Sequence, residues 1–202
     1  MIAAWRMRSF AISAAAVRAA ALMAAAVLGA CNSSAPATTA PAPVSVDPRR
    51  AEAFLDTLQQ RTFQWFWDTT DPRTGLTPDR WPARTFSSVA AIGFALTAYP
   101  IGAERAYVTR PEAAERTLST LRYLYRLPQG ETATGVAGYK GFFYHFLNYD
   151  DGLRFQQVEL STIDTSLLLG GVLFCQSYFA DTTATETSIR ASSGGSPRTG
   201  SR

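Results

Sequence analysis

The sequence LSTIDTSLLLGGVLFCQSYF at residues 160–179 decides the fold class. Its apolar side chains would point in every direction around a helix, and residues 167–174 include no polar side chain. A surface helix carries one apolar stripe, whereas a helix that is apolar all round is typical of a buried position. We therefore expect a fully buried helix from about residue 160 to residue 179.

Hydrophobic periodicity predicts three more helices upstream, at residues 49–67, 86–99 and 109–127. Pro100 is expected to end the second helix, because proline lacks a backbone N–H and clashes with the preceding turn. The third helix opens with the capping-box pattern Thr109-Arg-Pro-Glu112. One face of the first helix is expected to pack on the core through Ala51, Leu55, Leu58, Thr62, Trp65 and Phe66.

A long stretch rich in glycine and aromatic residues separates the third and fourth helices. It contains Gly138-Tyr-Lys-Gly-Phe-Phe-Tyr-His-Phe146, followed by turn residues at Asp150-Asp-Gly152. Short apolar segments bounded by glycine predict two strands in a hairpin. The expected fold is mostly α with a short β-hairpin insertion.

The N-terminus reads as a targeting segment. Residues 1–30 contain three arginines and no acid, and their apolar stretch from residue 19 to 30 is too short to span a bilayer. Its end, Leu28-Gly-Ala-Cys31, resembles the bacterial lipoprotein signature, which implies lipidation of Cys31. An ordinary secretory signal with a chance cysteine is the alternative. Residues 31–46 carry no charge and three prolines, a composition typical of a disordered tether.

The predicted location is the bacterial cell envelope, with the lipid on Cys31 as the membrane anchor. Asn32 follows that cysteine, which by resemblance to Gram-negative sorting favours the outer membrane, facing the periplasm or the surface. From Cys31 onward basic and acidic side chains are equal in number, so this part of the chain lacks the excess positive charge that is typical of nucleic-acid binding. Cys175 lies in an apolar run and is expected to be a buried, inert thiol. With His145 as the sole histidine, we expect no metal site and no cofactor.

Polar side chains occur among aromatic ones on the predicted connections. Aromatic rings stack on the C–H faces of sugars while polar groups bond the hydroxyls, so this mixture favours a saccharide site. The alternative is that the aromatic residues fill the ends of a helical barrel. The candidate substrate contacts are Asp79, Arg80, Trp81, Lys140, Tyr144 and His145.

Four motifs resemble the glycoamylase-like domain family, which includes bacterial endo-β-1,2-glucanases. They are Asp71-Pro-Arg-Thr-Gly-Leu-Thr-Pro-Asp-Arg80, Ala98-Tyr-Pro-Ile-Gly-Ala-Glu-Arg105, Gly138-Tyr-Lys-Gly-Phe-Phe-Tyr-His-Phe-Leu147 and Glu159-Leu-Ser-Thr-Ile-Asp-Thr165. The resemblance covers about residues 52–191 and implies an (α/α)6 barrel with an acidic cleft. It also implies an inverting hydrolase that acts on β-1,2-glucan or a related glucan.

Glu159 and Asp164 are the candidate catalytic pair. An inverting glycosidase needs a general acid and a general base roughly 6.5–9.5 Å apart. A helix N-terminus stabilises a carboxylate, which suits a base or a binding residue better than an acid. Two alternatives stay open: Asp164 also fits a capping box with Ser161, and a later segment can supply one carboxylate of the pair.

The four predicted helices amount to the N-terminal third of a twelve-helix barrel, placed at residues 47–191. The next barrel helix should begin near residues 187–191, but residues 192–202 contain no large apolar side chain. We expect a disordered, frameshifted tail and a truncated chain that associates through uncovered apolar surface and lacks activity. A natural disordered tail is the alternative. The rival function is a non-catalytic surface lipoprotein, either carbohydrate-binding or structural.

Overall fold

The structure, a computed structural model, describes residues 47–193. The signal segment, Cys31, the tether and tail residues 194–202 lie outside this range. The described part confirms a mostly helical fold with short paired strands. Its elements in chain order are α1 (Pro48–Thr69), β1 (Phe86–Ser88), α2 (Val89–Glu104), α3 (Arg110–Arg126), β2 (Gly138–Tyr139), β3 (Phe142–Phe143), β4 (Phe146–Asn148), α4 (Thr162–Tyr178) and α5 (Ala184–Ser193).

Helix α2 is the centre of the fold, because it packs against α1, α3 and α4. Its buried side chains join those of α3 and α4 in one hydrophobic core. Each large apolar side chain in such a core contributes about 1.5–3 kcal/mol by leaving water. The largest fully buried members are Tyr99, Phe179, Leu76, Ile92, Leu96, Leu147 and Ile189.

Two glycines allow α2 and α4 to approach at backbone distance. A Cβ on Gly93 would overlap the carbonyl of Leu167, and a Cβ on Gly171 would overlap the carbonyl of Gly93. Only glycine has no Cβ, so these two positions set how closely the helices dock.

The second helix differs from its prediction at both ends. Residues Phe86–Ser88 form a strand, and Ser88 caps the helix by accepting from the backbone N–H of Ala91 at 3.4 Å. The expectation that Pro100 ends the helix is wrong, since α2 continues to Glu104. Proline removes the N–H that would bond the carbonyl of Leu96. The thiol of Cys175 donates to that carbonyl instead, at 3.0 Å.

The predicted core face of α1 is also wrong in part. Leu55 and Leu58 are exposed, whereas Phe63 is buried against α2. An apolar groove of about 290 Å³ lies between α1 and α2 and includes Phe66 and Phe94.

Helix α4 is not buried on all sides, contrary to the expectation. Leu168 and Val172 are buried, but Leu169 and Leu173 are 53% and 59% exposed. The helix docks on α2 through its glycine side, and nothing else within residues 47–193 covers the opposite side. The expectation of uncovered apolar surface on this helix is therefore confirmed for the described part of the chain.

The predicted hairpin is present as β2 and β3, which pair antiparallel. Its turn residues Lys140 and Gly141 have φ angles of 50° and 88°, the left-handed conformation that two-residue hairpins require. Strand β4 pairs with β1 rather than with this hairpin, with Ser87 opposite Leu147. The long connection is thus tied to the start of α2.

A partly buried ion pair joins α3 to α5. The guanidinium of Arg110 donates to both carboxylate oxygens of Glu186, at 2.8 and 2.9 Å, and to the carbonyl of Tyr178 at 3.0 Å. Such bidentate charged hydrogen bonds are among the strongest in proteins.

No helix among the described residues is long and apolar enough to span a membrane.

Candidate functional site

The site is built where the chain before α4 runs beside the hairpin region. Tyr144 and Leu160 form an antiparallel bridge, and the N–H of His145 donates to the carbonyl of Glu159 at 3.0 Å. Ser161 then caps α4 by accepting from the N–H of Asp164 at 3.1 Å. This local geometry brings together Glu159, His145 and Asp164, three residues that the sequence singled out.

The imidazole of His145 lies between the two carboxylates. Its Nδ1 is 2.8 Å from Oε1 of Glu159, and its Nε2 is 3.7 Å from Oδ1 of Asp164. With one ring between them, the facing oxygens are at most about 9 Å apart, within reach of the spacing used by inverting glycosidases. The other carboxylate oxygen of Asp164 accepts from the hydroxyl of Ser161.

The two carboxylates differ in environment. The Glu159 side chain is 67% exposed, while Asp164 is buried in the first turn of α4, where the backbone N–H groups favour negative charge. Hydrogen bonds from its own backbone N–H and from His145 lower the pKa of Glu159 below its ordinary value. Glu159 is therefore ionised at neutral pH, a state that suits a base or a hydrogen-bond acceptor and not a general acid.

A row of aromatic rings leads away from this cluster. The ring of His145 stacks on Phe146 at 3.9 Å between centroids, Phe146 meets Phe86 at 4.6 Å, and Phe86 meets Phe155 at 4.7 Å. We call these four rings the aromatic row. Because β1 pairs with β4, rings that are 60 residues apart in sequence (Phe86 and Phe146) become neighbours.

The loop before β1 carries three candidate contacts, of which Arg80 reaches the aromatic row. The guanidinium of Arg80 lies over the ring of Phe86 at 5.2 Å and pairs with Asp79 at 3.4 Å. Trp81 is 52% exposed, and Arg84 covers one face of its indole at 4.8 Å.

Two candidates lie away from the carboxylates. Lys140 is exposed at the tip of the hairpin, with its Nζ 5.0 Å from the ring of Tyr139. Tyr144 is packed partly against the core, and the guanidinium of Arg154 covers its ring at 4.2 Å. Neither side chain makes a hydrogen bond to the Glu159–His145–Asp164 cluster.

Four residues of the site were not predicted from the sequence. In the sequence Ser161 is only part of a capping pattern, and nothing there indicated that the Ser161 hydroxyl would bond the carboxylate of Asp164. Phe86 and Phe155 meet Phe146 through strand pairing and a β-bridge, which bring distant segments together, whereas Arg84 contacts Trp81 three residues away. In residues 47–193 no group of three or more histidine, cysteine, aspartate and glutamate side chains has the arrangement of a metal site.

No family model matches the chain. It is 28% identical over 148 residues, 72% of its length, to an exo-β-1,2-glucooligosaccharide sophorohydrolase (non-reducing end) from Parabacteroides distasonis. The crystal structure of a β-1,2-glucanase from the same species aligns with a TM-score of 0.62, 26% identity and 70% of this chain. A candidate glucoamylase from Bacteroides uniformis aligns equally well, with 26% identity and 70% of this chain.

These relatives confirm the resemblance: the described domain is similar to part of a glycoamylase-like domain. The chain spans only 20% of the curated relative and of the β-1,2-glucanase, and 34% of the Bacteroides uniformis protein.

Proposed function

We propose that this chain forms part of a glycoside hydrolase site that cleaves β-1,2-glucan or a related glucan by inversion. One observation carries the proposal: two carboxylates flank one imidazole at the end of an aromatic row. Relatives named as β-1,2-glucan hydrolases supply the reaction and the substrate class. The proposed scaffold is the N-terminal third of an (α/α)6 barrel.

Each part of the site has a chemical task in this proposal. Glu159, which is ionised and exposed, acts as a base or binds a sugar hydroxyl. The aromatic row and the exposed indole of Trp81 stack on glucose rings, and Asp79, Arg80, Lys140, Tyr144 and His145 are the proposed polar and stacking contacts. Asp164 is the second carboxylate of the pair.

The full chain, which is expected to lack activity by itself, is tested for binding of linear β-1,2-glucan and its oligosaccharides through the heat of binding. An intact homologous barrel that carries the same Glu159-Leu-Ser-Thr-Ile-Asp-Thr165 motif is tested for the release of reducing ends. Glu159→Gln removes the charge and should abolish hydrolysis while the melting temperature stays the same. Glu52→Gln, on the exposed surface of α1, is the matched control.

Binding without hydrolysis would favour the non-catalytic carbohydrate-binding function instead. The absence of both binding and hydrolysis would refute both functions. A loss of several degrees in melting temperature on Glu159→Gln would give that residue a structural role.

We also propose that Cys31 carries the lipid that anchors the protein in the outer membrane. The sequence around Cys31 supports this location. A palmitate analogue should label the protein in cells, and Cys31→Ser should remove both the label and the membrane association.

A further inference from the structure

His145 is held firmly in its position between the carboxylates. Its backbone N–H donates to the backbone carbonyl of Glu159 at 3.0 Å, and its backbone carbonyl accepts from the N–H of Val89 at 3.2 Å. Its ring stacks on Phe146 with an angle of 24° between the planes. The backbone and the ring face are both fixed, so each ring nitrogen has a defined neighbour.

The neighbour of Nδ1 decides where the neutral ring carries its proton. An ionised carboxylate has only acceptor atoms, and a neutral imidazole has one N–H and one bare nitrogen. The lowered pKa of Glu159 keeps that carboxylate ionised at 2.8 Å from Nδ1. A hydrogen bond at this distance therefore requires the proton on Nδ1, which leaves Nε2 bare.

The bare nitrogen faces the other acid of the site. Nε2 lies 3.7 Å from Oδ1 of Asp164, whose second oxygen is engaged by Ser161. The nearby charged group from the preceding turn, Arg154, donates to the carbonyl of Val158 and covers Tyr144. A proton accepted at Nε2 would therefore lie beside the carboxylate of Asp164.

We infer that Glu159, besides its proposed role in the reaction, holds His145 through Oε1 in the tautomer protonated on Nδ1, so that Nε2, beside Asp164, is a further proton-accepting atom of the site. The use of this atom in catalysis rests on the proposed function, whereas the tautomer does not. Catalytic triads use the same arrangement: a carboxylate bonds one ring nitrogen of a histidine, and the other ring nitrogen accepts the proton.

The sole histidine of the chain makes the tautomer directly measurable. In the full chain labelled with ¹⁵N-histidine, the two ring nitrogens give one pair of signals, recorded at a pH at which the ring is neutral. We expect Nδ1 protonated and Nε2 bare. Glu159→Ala should shift the proton toward Nε2, and Glu52→Ala should leave the signals unchanged.

A second pair of variants tests the contact from the other side. The side-chain amide of His145→Asn can replace Nδ1 as the donor to Glu159, whereas that of His145→Gln reaches the place of Nε2. The pKa of Glu159, followed by ¹³C signals of its carboxyl group, should rise toward its ordinary value in His145→Gln and less in His145→Asn.

Two results would overturn the inference: a proton on Nε2 in the unchanged protein, or ring signals that Glu159→Ala leaves unaltered. The glucan assay separates this inference from the proposed function. The expected tautomer without glucan binding or cleavage would refute the function alone. Cleavage with the proton on Nε2 would refute the inference alone.

Discussion

The thiol of Cys175 has a structural task that a double-mutant cycle can measure. Pro100 lies inside α2 and offers no N–H to the carbonyl of Leu96. Cys175, which is fully buried on α4, donates to that carbonyl at 3.0 Å. Burial raises the pKa of this thiol to about 12, so it stays protonated and available as a donor.

Cys175→Ala should leave the Leu96 carbonyl buried without a donor. An unsatisfied buried acceptor costs about 1–3 kcal/mol, and the lost sulfur adds a small packing term. In the Pro100→Ala background the new N–H at position 100 bonds the same carbonyl. The thiol is then redundant, so Cys175→Ala should cost about 1 kcal/mol less there.

Urea unfolding of the full chain, followed by far-ultraviolet circular dichroism, gives the four free energies of unfolding that the cycle needs. Cys175→Ser, whose hydroxyl is also a donor, is the control and should cost less than Cys175→Ala. An equal cost of Cys175→Ala in the two backgrounds would show that the thiol does not substitute for the missing N–H.

Two further predictions concern packing and pH. Gly171→Ala should destabilise the protein by about 1–3 kcal/mol, because the new Cβ meets the backbone of Gly93. The control Gly170→Ala, whose Cβ meets nothing within 4 Å, should be neutral or stabilising. Thermal melts of both variants check this, and equal effects would contradict it. Burial raises the pKa of Glu186, but hydrogen bonds from Arg110 and from the N–H of Asp181 outweigh it, so the net pKa is lowered. The stability from this pair is therefore present above the ordinary pKa of glutamate, about 4.3, and lost as pH falls through the folded value. Melting temperatures measured from pH 7 to pH 3 should drop less steeply in Glu186→Gln, and parallel curves would contradict this.

Local capping signals in the sequence located the starts of α3 and α4. The capping box of Thr109 and Glu112 forms as predicted, with the N–H of Thr109 donating to Glu112 at 2.8 Å. Ser161 likewise caps α4. These signals succeed because capping needs only residues three positions apart.

Features that depend on distant partners were not predictable in the same way. Pro100 lies inside α2, where Cys175, from another helix, bonds the carbonyl of Leu96. Helix α5 has one fully buried large apolar residue, Ile189, so hydrophobic periodicity gave no signal for it. The spacing Thr183-Ala-Thr-Glu186 is a local capping signal for its start, and the N–H of Glu186 donates to the Thr183 hydroxyl at 3.3 Å.

The candidate site shows the same division. The sequence singled out Glu159, His145 and Asp164, but their meeting depends on the bridge between Tyr144 and Leu160. Side chains opposite each other on antiparallel strands are neighbours, so the register of this bridge decides that His145 faces Glu159. A shift by one residue would turn one of the two side chains to the other face.

Helix α4 connects the core to the site. Its first turn carries Asp164, and the hydroxyl of Thr165 accepts from the N–H of Phe143 at 3.0 Å while donating to the carbonyl of Ser161 at 2.7 Å. These bonds tie the start of the helix to the strand that leads to His145. The close contact between Gly171 of α4 and Gly93 of α2 holds the middle of the same helix in place. The distance from Asp164 to His145 therefore depends on how α4 docks, and any loosening of that contact should change the environment of Nε2 before the helix itself unfolds.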